Sequence, residues 1–147
     1  AITRIIGGKT DMVMMLNGAL AGLVAITAEP LTPGPITAMF IGSIGAIIMY
    51  FGTKMLESYG LDDVVGAIPV HMFAGIFGTL VVPLTNPDTS FGTQFLGTAS
   101  VCIFSFGLSW ATFTILKSTV GLRISKAAEK LGTDKAEVGV TAYSIRD

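Results

Sequence analysis

Charged residues are scarce in this sequence. Of its 147 residues, 13% are charged, about half of the roughly one quarter that is usual in soluble domains. The calculated pI is near 5.7 and the basic residues form no patch, so the composition gives no indication of nucleic-acid binding. In contrast, 51% of the residues are hydrophobic, which is typical of a membrane protein.

Cysteine and histidine each occur once. Cys102 cannot form an internal disulfide, and because it lies within an apolar run we expect a buried structural thiol. The single histidine, His71, cannot by itself supply a zinc site. The sequence also lacks a nucleophile triad, a metal-ligand cluster and a phosphate-binding glycine loop, which argues against covalent catalysis. We therefore expect no metal, no cofactor and no enzymatic activity.

The first residues lack the features of a complete start. The chain does not begin with methionine, and it has no basic region, apolar region and cleavage site in the order of a signal peptide. From these features we expect a part of a longer protein.

The sequence does contain four long apolar segments. We predict transmembrane helices at about residues 12–28, 36–53, 64–84 and 92–116, since about 17 to 25 apolar residues cross a bilayer core. The predicted fold class is therefore all-α, a multi-pass transmembrane bundle in residues 1–120. Residues 121–147 are polar and form a separate tail.

Small residues recur within the first two segments. Gly18, Ala21 and Gly22 lie on one face of the first segment, and Gly42 and Gly45 repeat the pattern in the second. In membranes, helices approach each other closely through such small residues. The pattern predicts close contact between these helices.

The positions of the basic residues predict an orientation. With four membrane passes, all nine basic residues fall on one side, whereas the two opposite loops contain Glu29 and Asp88 but no lysine or arginine. Basic residues favour the cytoplasmic side, so we expect both ends of this chain to be cytoplasmic. The nine are Arg4, Lys9, Lys54, Lys117, Arg123, Lys126, Lys130, Lys135 and Arg146.

The tail has its own helix signals. A short helix is predicted around Lys126 to Leu131, ended by Gly132. Asp134 and Glu137 have the spacing of a capping box, which predicts a second short helix. The tail is either a solvated extension without a special role or a docking segment at the cytoplasmic face.

His71 lies inside the third apolar segment. If the helix begins near Asp63, His71 lies about 12 Å along it at 1.5 Å per residue, near the middle of the bilayer. An apolar site favours the neutral imidazole, which can donate one hydrogen bond and accept another. Such a ring could relay a small polar solute. The alternative, a packing histidine bonded to a backbone carbonyl, stays open.

The neighbours of His71 are small. Ala67, Ala74 and Gly75 share its face by α-helical spacing, which leaves room for a solute or for another helix. Pro69 either bends this helix or marks its true start.

Two carboxylates precede the third helix. Asp62 and Asp63 are suited to cap its N-terminus, where negative charge favours the helix dipole. A direct role in solute binding or gating is the alternative.

These stretches, taken together, resemble the ammonium transporter (Amt/Mep/Rh) family. The run DDVVGAIPVHMFAGIFGTL is similar to its D-D-P-V-G-A-I-S-V-H with spaced glycines, and GGKTDMVMMLNGALAGLVAITA to its G-K-P-x-x-x-x-x-L-N-G-A-L-A-G-L-V-A-I-T-A. KSTVGLRIS and GTDKAEVGVTAY resemble its K-x-T-x-G-L-R-V-S and G-L-D-x-x-E-H-G-x-x-A-Y. The matches follow the family's order and cover nearly the whole chain.

The resemblance implies a fold of eleven transmembrane helices with an inverted repeat, assembled as a homotrimer with one pore per subunit. This chain then corresponds to the last four helices and the tail. His71 matches the second of two pore histidines, beside Ala67, Ala74 and Gly75. Ammonium would lose its charge before the apolar passage, and the two histidines would serve the ammonia and proton paths.

The resemblance also implies that the tail helps to contact a PII-type signalling protein. The tail residues that carry the match are Gly132, Asp134, Glu137, Gly139 and Tyr143.

The chain departs from the family pattern at three positions, Val64, Met72 and Val138, where proline, glycine and histidine are common. The partner histidine, the recruitment site and the phenylalanine gate would lie in earlier helices. Two other functions remain open: an ammonium-sensing module of the same fold, and a structural membrane subunit.

Overall fold

The structure is a computed structural model that describes residues 1–142, and over this range it contains helices and no strand. The predicted all-α class is confirmed for these residues. The chain divides into two compact units, Ala1–Val101 and Cys102–Asp147. The helices are α1 (Ile2–Gly7), α2 (Met12–Ile26), α3 (Pro35–Ser58), α4 (Ile68–Leu84), α5 (Phe91–Thr119), α6 (Lys126–Leu131) and α7 (Asp134–Val138).

Two of these helices, α3 and α5, are long and apolar enough to cross a membrane. Helices α2 and α4 are apolar but shorter. The predicted end of the second helix at Thr53 is wrong, because α3 continues to Ser58. Lys54 and Glu57 do not interrupt it, since their side chains form an ion pair of 2.9 Å along the helix surface.

Helix α4 begins later than the predicted residue 64. Its first turn starts at Ile68, because Val64 and Val65 form a turn and Gly66 adopts a left-handed φ of 73°. Three helix types follow one another in it: a π segment (Ile68–Phe73), an α segment (Ala74–Val81) and a 3-10 turn (Val82–Leu84).

In the first unit, α2 packs against α3 in antiparallel orientation, and small residues form the contact. A Cβ added to Gly22 would lie 3.1 Å from the carbonyl oxygen of Gly42, and one added to Gly45 would lie 2.9 Å from that of Ala21. Both distances are shorter than ordinary packing allows. The predicted contact through small residues is confirmed.

Helix α4 runs parallel to α2 and contacts it through Gly78. A Cβ on Gly78 would overlap the backbone of Ala25, which is itself buried. Nearby, α2, α3 and α4 share one buried cluster, formed by Ala21, Met49, Val70 and Ala74. The core of this unit therefore combines alanines with larger side chains from three helices.

The second unit contains the end of α5 and the tail. Helix α6 has the predicted bounds: the Ser125 hydroxyl accepts the N–H of Ala128 at 3.2 Å, and Gly132 ends the helix with a φ of 95°. Cys102 is only half-buried, so the expectation of a buried thiol is wrong. It lies on α5, none of whose residues is buried.

The contact at Gly78 leads to a stability prediction. Gly78→Ala should lower the free energy of unfolding by about 1–3 kcal/mol, because the new methyl group meets backbone that cannot move away. Gly75→Ala, one turn earlier, is the matched control, since its Cβ would lie 3.6 Å from Val24 Cγ1, an ordinary contact. Thermal unfolding of the purified full-length variants in detergent measures both. Equal midpoints would show that Gly78 is not a point of close approach.

Candidate functional site

His71 lies in the π segment of α4. Its side chain is exposed, and none of residues 1–142 forms a hydrogen bond with the imidazole. The wide turn is visible in the backbone, where the N–H of Ala74 donates to the carbonyl of Pro69, five residues earlier. Such π segments are rare and occur often at functional sites. The only histidine of the chain is thus on a free surface in an unusual turn.

The backbone N–H groups at the start of this turn have acceptors. The Asp63 carboxylate accepts the N–H groups of Ala67 at 2.9 Å and of Ile68 at 2.8 Å. Pro69 has no N–H, and the N–H of Val70 donates to the carbonyl of Gly66 at 3.1 Å. A carboxylate at this end of a helix is also favoured by the helix dipole. The structure thus places Asp63 where a cap for α4 is needed.

Asp62 is placed differently. It is exposed, and within the described range its side chain makes no hydrogen bond to the start of α4. The two adjacent carboxylates are therefore not equivalent: Asp63 bonds to the helix and Asp62 faces solvent.

Asn17 is a residue of this site that the sequence patterns do not single out. Its side-chain amide on α2 donates to the carbonyl of Val65 at 3.0 Å. Glycine at position 66 lets α2 and the turn before α4 approach closely, because a Cβ there would lie 2.6 Å from Asn17 Nδ2. The signals available in the sequence are an amide side chain inside an apolar segment and a proline four residues after Val65.

Packing sets the rotation of α4 about its axis. Val70 and Ala74 are 2% and 0% exposed, in the cluster with Ala21 and Met49, which leaves His71 on the outside. The expected common face of His71 and Ala74 is therefore wrong, since Ala74 packs against other helices. A π turn holds more residues than an α turn, so each residue turns through less than 100° and position i+3 lies further from the face of residue i than α spacing predicts.

The other two small neighbours of His71, Ala67 and Gly75, lie at least partly on the exposed side of the helix, as His71 does. Ala67 is exposed, as His71 is, and Gly75 is partly exposed, with Val24 of α2 beside it. Met72 follows the ring and is 48% exposed. The outer surface of this turn therefore consists of one imidazole among small and apolar groups.

A second polar contact joins α2 and α4 beyond their far ends. Asn86, after α4, donates through Nδ2 to the Glu29 carboxylate at 2.9 Å, and the pair is partly buried. Asn17 and Val65 form the contact near the start of the same pair of helices. These two parallel helices are thus joined by polar bonds at both ends and by small residues between.

The tail residues lie in the second unit. Gly132 and Gly139 both have positive φ angles, 95° and 75°, and both end short helical turns. Glu137 is exposed, and Tyr143 lies outside the described residues. The Arg123 guanidinium forms an ion pair with Glu129 on the surface, before and within α6.

The second short helix predicted in the tail is present as α7 (Asp134–Val138), but the capping box expected at Asp134 is wrong. Thr133 precedes the turn Asp134–Val138, and the Asp134 carboxylate instead accepts the N–H of Ala142 at 2.9 Å. This N–H, followed by that of Lys135, holds the pKa of Asp134 below its ordinary value. The carboxylate therefore closes a loop of nine residues and does not cap α7.

Comparison with known proteins gives a consistent result. Residues 1–143 match the profile of the Ammonium Transporter Family. The ammonium transporter Amt2 of Archaeoglobus fulgidus is 38% identical over 97% of this chain and 35% of its own length. Amt2 of Methanocaldococcus jannaschii is 33% identical over 97% of this chain and 36% of its own length. The ammonium transporter of Corynebacterium glutamicum is 31% identical over 98% of this chain and 35% of its own length. The chain spans about a third of the length of these relatives.

The unequal roles of the two aspartates can be tested. Asp63→Ala should lower the free energy of unfolding by about 1–2 kcal/mol, because two backbone N–H groups at the start of α4 lose their acceptor. Asp62→Ala is the matched control and should change it by less than about 0.5 kcal/mol. Thermal unfolding in detergent measures the difference. If Asp62→Ala is the more harmful of the two, the assignment of the cap to Asp63 is refuted.

Proposed function

This chain belongs to the ammonium transporter family, and on that premise we propose that it is part of a protein that conducts ammonium across a membrane. Three relatives that cover nearly the whole chain are named ammonium transporters. The four apolar helices and the low charge fit this role. Transport, not catalysis, is accordingly the activity proposed.

The observation that carries the proposal is the exposure of His71 on an otherwise apolar helix. An ammonium ion loses its hydration when it enters an apolar passage, which is costly for a charge and much less so for neutral ammonia. A neutral imidazole can accept a hydrogen bond from the solute at one nitrogen and donate at the other. We therefore propose that His71 lines the pore and supports the separate passage of ammonia and a proton.

The small neighbours define the width of the proposed passage. Ala67 and Gly75 leave space beside the ring, whereas Ala74 packs against α2 and α3 and does not line the proposed passage. Met72, on the same exposed side, would narrow the passage. Because this surface is uncovered in the first unit, we propose that earlier helices of a longer chain complete the pore, with the partner histidine among them.

The proposed topology has four membrane passes, formed by α2, α3, α4 and α5, with both ends of the chain in the cytoplasm. Helix α3 is antiparallel to α2 and α4, as successive passes require. The bond between Glu29 and Asn86 joins the two loops that contain no basic residue, so these loops share one side, which would be the external one. A homotrimer in the bilayer is the proposed assembly.

For the tail we propose contact with a PII-type signalling protein. The capped helix α6 and the loop closed by Asp134 support this role, because they give a polar segment a defined shape. The same features favour the second candidate, an ammonium sensor that signals through its tail. A structural membrane subunit is the least supported alternative, since the named relatives are transporters.

The pore assignment predicts the effect of His71→Ala in the full-length protein. Ammonium-dependent current or ammonium selectivity should change by about tenfold, as expected for the loss of one hydrogen bond of about 1.4 kcal/mol to the solute. His71→Gln, which keeps a donor and an acceptor, should have a smaller effect. Currents in proteoliposomes at equal protein density measure this. Unchanged current and selectivity in His71→Ala would exclude His71 from the pore.

The tail assignment predicts an effect of Asp134→Ala. Binding of a PII-type protein to the full-length transporter should weaken several-fold, because the N–H of Ala142 loses its acceptor. Asp134→Asn keeps one acceptor oxygen, so its affinity for the PII-type protein should lie between that of Asp134→Ala and that of the natural protein. Since the pKa of Asp134 is lowered, the loop is stabilised at neutral pH and weakens only as the pH falls through that lowered value.

Deletion of residues 132–147 gives the limiting case for the tail. If this deletion leaves regulation by the PII-type protein intact, the docking role is refuted. If it removes ammonium-dependent signalling but leaves current unchanged, the sensor is favoured.

A further inference from the structure

We propose that the first unit contains a binding site for an anionic phospholipid, formed by α1, α2 and α3. Two cavities, of about 370 Å³ and about 300 Å³, adjoin each other there, because Thr3, Thr10, Met14 and Tyr50 line both of them. Each volume falls within the roughly 300–1,000 Å³ of ligand pockets. His71 lines neither cavity, so the inference does not depend on its proposed pore role.

Tyr50 is the residue that points to a ligand. It lies on α3, is 7% exposed, and packs its ring edge-to-face against that of Phe51 with 5.3 Å between the ring centroids. Its hydroxyl has no hydrogen-bond partner among residues 1–142 and is not fully enclosed by protein. A buried tyrosine hydroxyl usually has a partner. Since Tyr50 lines both cavities, its hydroxyl is available to a ligand bound in them.

The smaller cavity is polar, with two positive charges from Lys9 and Lys54 and one negative charge from Asp11. The Asp11 carboxylate already accepts the N–H of Met14 at 3.0 Å. The Lys54 ammonium donates to Glu57 at 2.9 Å, but an ammonium has three donors and so keeps two for another acceptor. This cavity therefore favours an anion.

The larger cavity is mainly apolar. Its one further hydroxyl, that of Ser43, already donates to the carbonyl of Met39 at 2.7 Å. The other residues that line it alone include Met15, Ala46 and Ile47. An occupant of both cavities must therefore be anionic at one end and apolar at the other.

An anionic glycerophospholipid has this chemistry. Its phosphodiester would accept hydrogen bonds from Lys9, Lys54 and the Tyr50 hydroxyl, and part of an acyl chain would fill the apolar cavity. Basic pockets between transmembrane helices on the cytoplasmic side bind anionic head groups, and the proposed topology places the start of α2 and the end of α3 on that side. A soluble anion would leave the apolar cavity unused, and a helix packed here would need an acceptor for each lysine.

The test uses the full-length protein purified in detergent. Native mass spectrometry measures the dissociation constant of the first molecule bound per subunit, for short-chain phosphatidylglycerol, phosphatidylcholine of the same chain length, and glycerol 3-phosphate. Tyr50→Phe removes only the hydroxyl, Lys9→Gln removes one charge, and Ala46→Leu fills the apolar cavity. Lys130→Gln on α6 is the matched control, because it makes the same charge change in the tail.

We expect phosphatidylglycerol to bind more tightly than either of the other two compounds. Tyr50→Phe should weaken its binding about tenfold, as the loss of one hydrogen bond to a charged group predicts. Lys9→Gln should weaken it about fivefold, the contribution of one lysine near an anionic head group. Neither change should affect phosphatidylcholine, and Lys130→Gln should affect neither lipid. Ala46→Leu should weaken phosphatidylglycerol binding without changing that of glycerol 3-phosphate.

Several outcomes would overturn the lipid site. If Tyr50→Phe and Lys9→Gln bind phosphatidylglycerol as the natural protein does, or lose no more affinity than Lys130→Gln, the cavities do not hold the head group. If glycerol 3-phosphate binds as tightly as phosphatidylglycerol, the ligand is a soluble anion. If no phosphatidylglycerol binds, other parts of the protein occupy the cavities. Should Tyr50→Phe yield no folded protein, Lys9→Gln and Ala46→Leu decide the question.

These measurements are independent of conduction. Loss of the pore assignment in the His71→Ala experiment would leave the lipid affinities unchanged. Conversely, equal lipid binding in all variants would refute this inference and leave the proposed transport function standing.

Discussion

The need to satisfy backbone polar groups at the start of α4 governs much of this structure. The first N–H groups of a helix have no acceptor within the helix, so the first turn of α4 needs partners from outside it. Asp63 accepts two N–H groups, Pro69 removes a third, and Asn17 donates to the carbonyl of Val65 in the preceding turn. These contacts hold the chain just before the wide turn that contains His71.

These polar contacts depend in turn on how closely the helices approach. Gly22 with Gly42, and Gly78 with Ala25, bring backbones into direct contact, which larger side chains would prevent. At this separation a short amide side chain on α2 can reach the backbone before α4. Close packing of small residues and the polar bonds at the ends of the helices therefore support each other. We expect that both kinds of contact are needed to fix the position of α4 against α2.

The sequence predicts the local features of the fold well and the long-range ones poorly. The small face of α2 and the helix of the tail follow from neighbouring residues, and both are present. Regular α spacing predicts the wrong face for Ala74, because the chain forms a π turn at His71 that no pattern of neighbouring residues indicates. The partner of Asn17 is forty-eight residues away, so no local pattern indicates it. Likewise, the sequence does not indicate which of Asp62 and Asp63 caps α4, because this depends on where the helix begins after the left-handed Gly66.

The distribution of side chains between core and surface bears on where the proposed site is completed. The first unit uses Ala21, Val70 and Ala74 for its core and keeps its one histidine outside. A histidine needed only for packing would be expected in the core, bonded to a carbonyl of α2 or α3. Both helices are close, since Val70 and Ala74 on either side of His71 pack against them. Its exclusion from that core is a reason to assign it to a surface that faces further helices. Since α4 is attached to α2 at both ends, such helices would meet an imidazole whose position is already set.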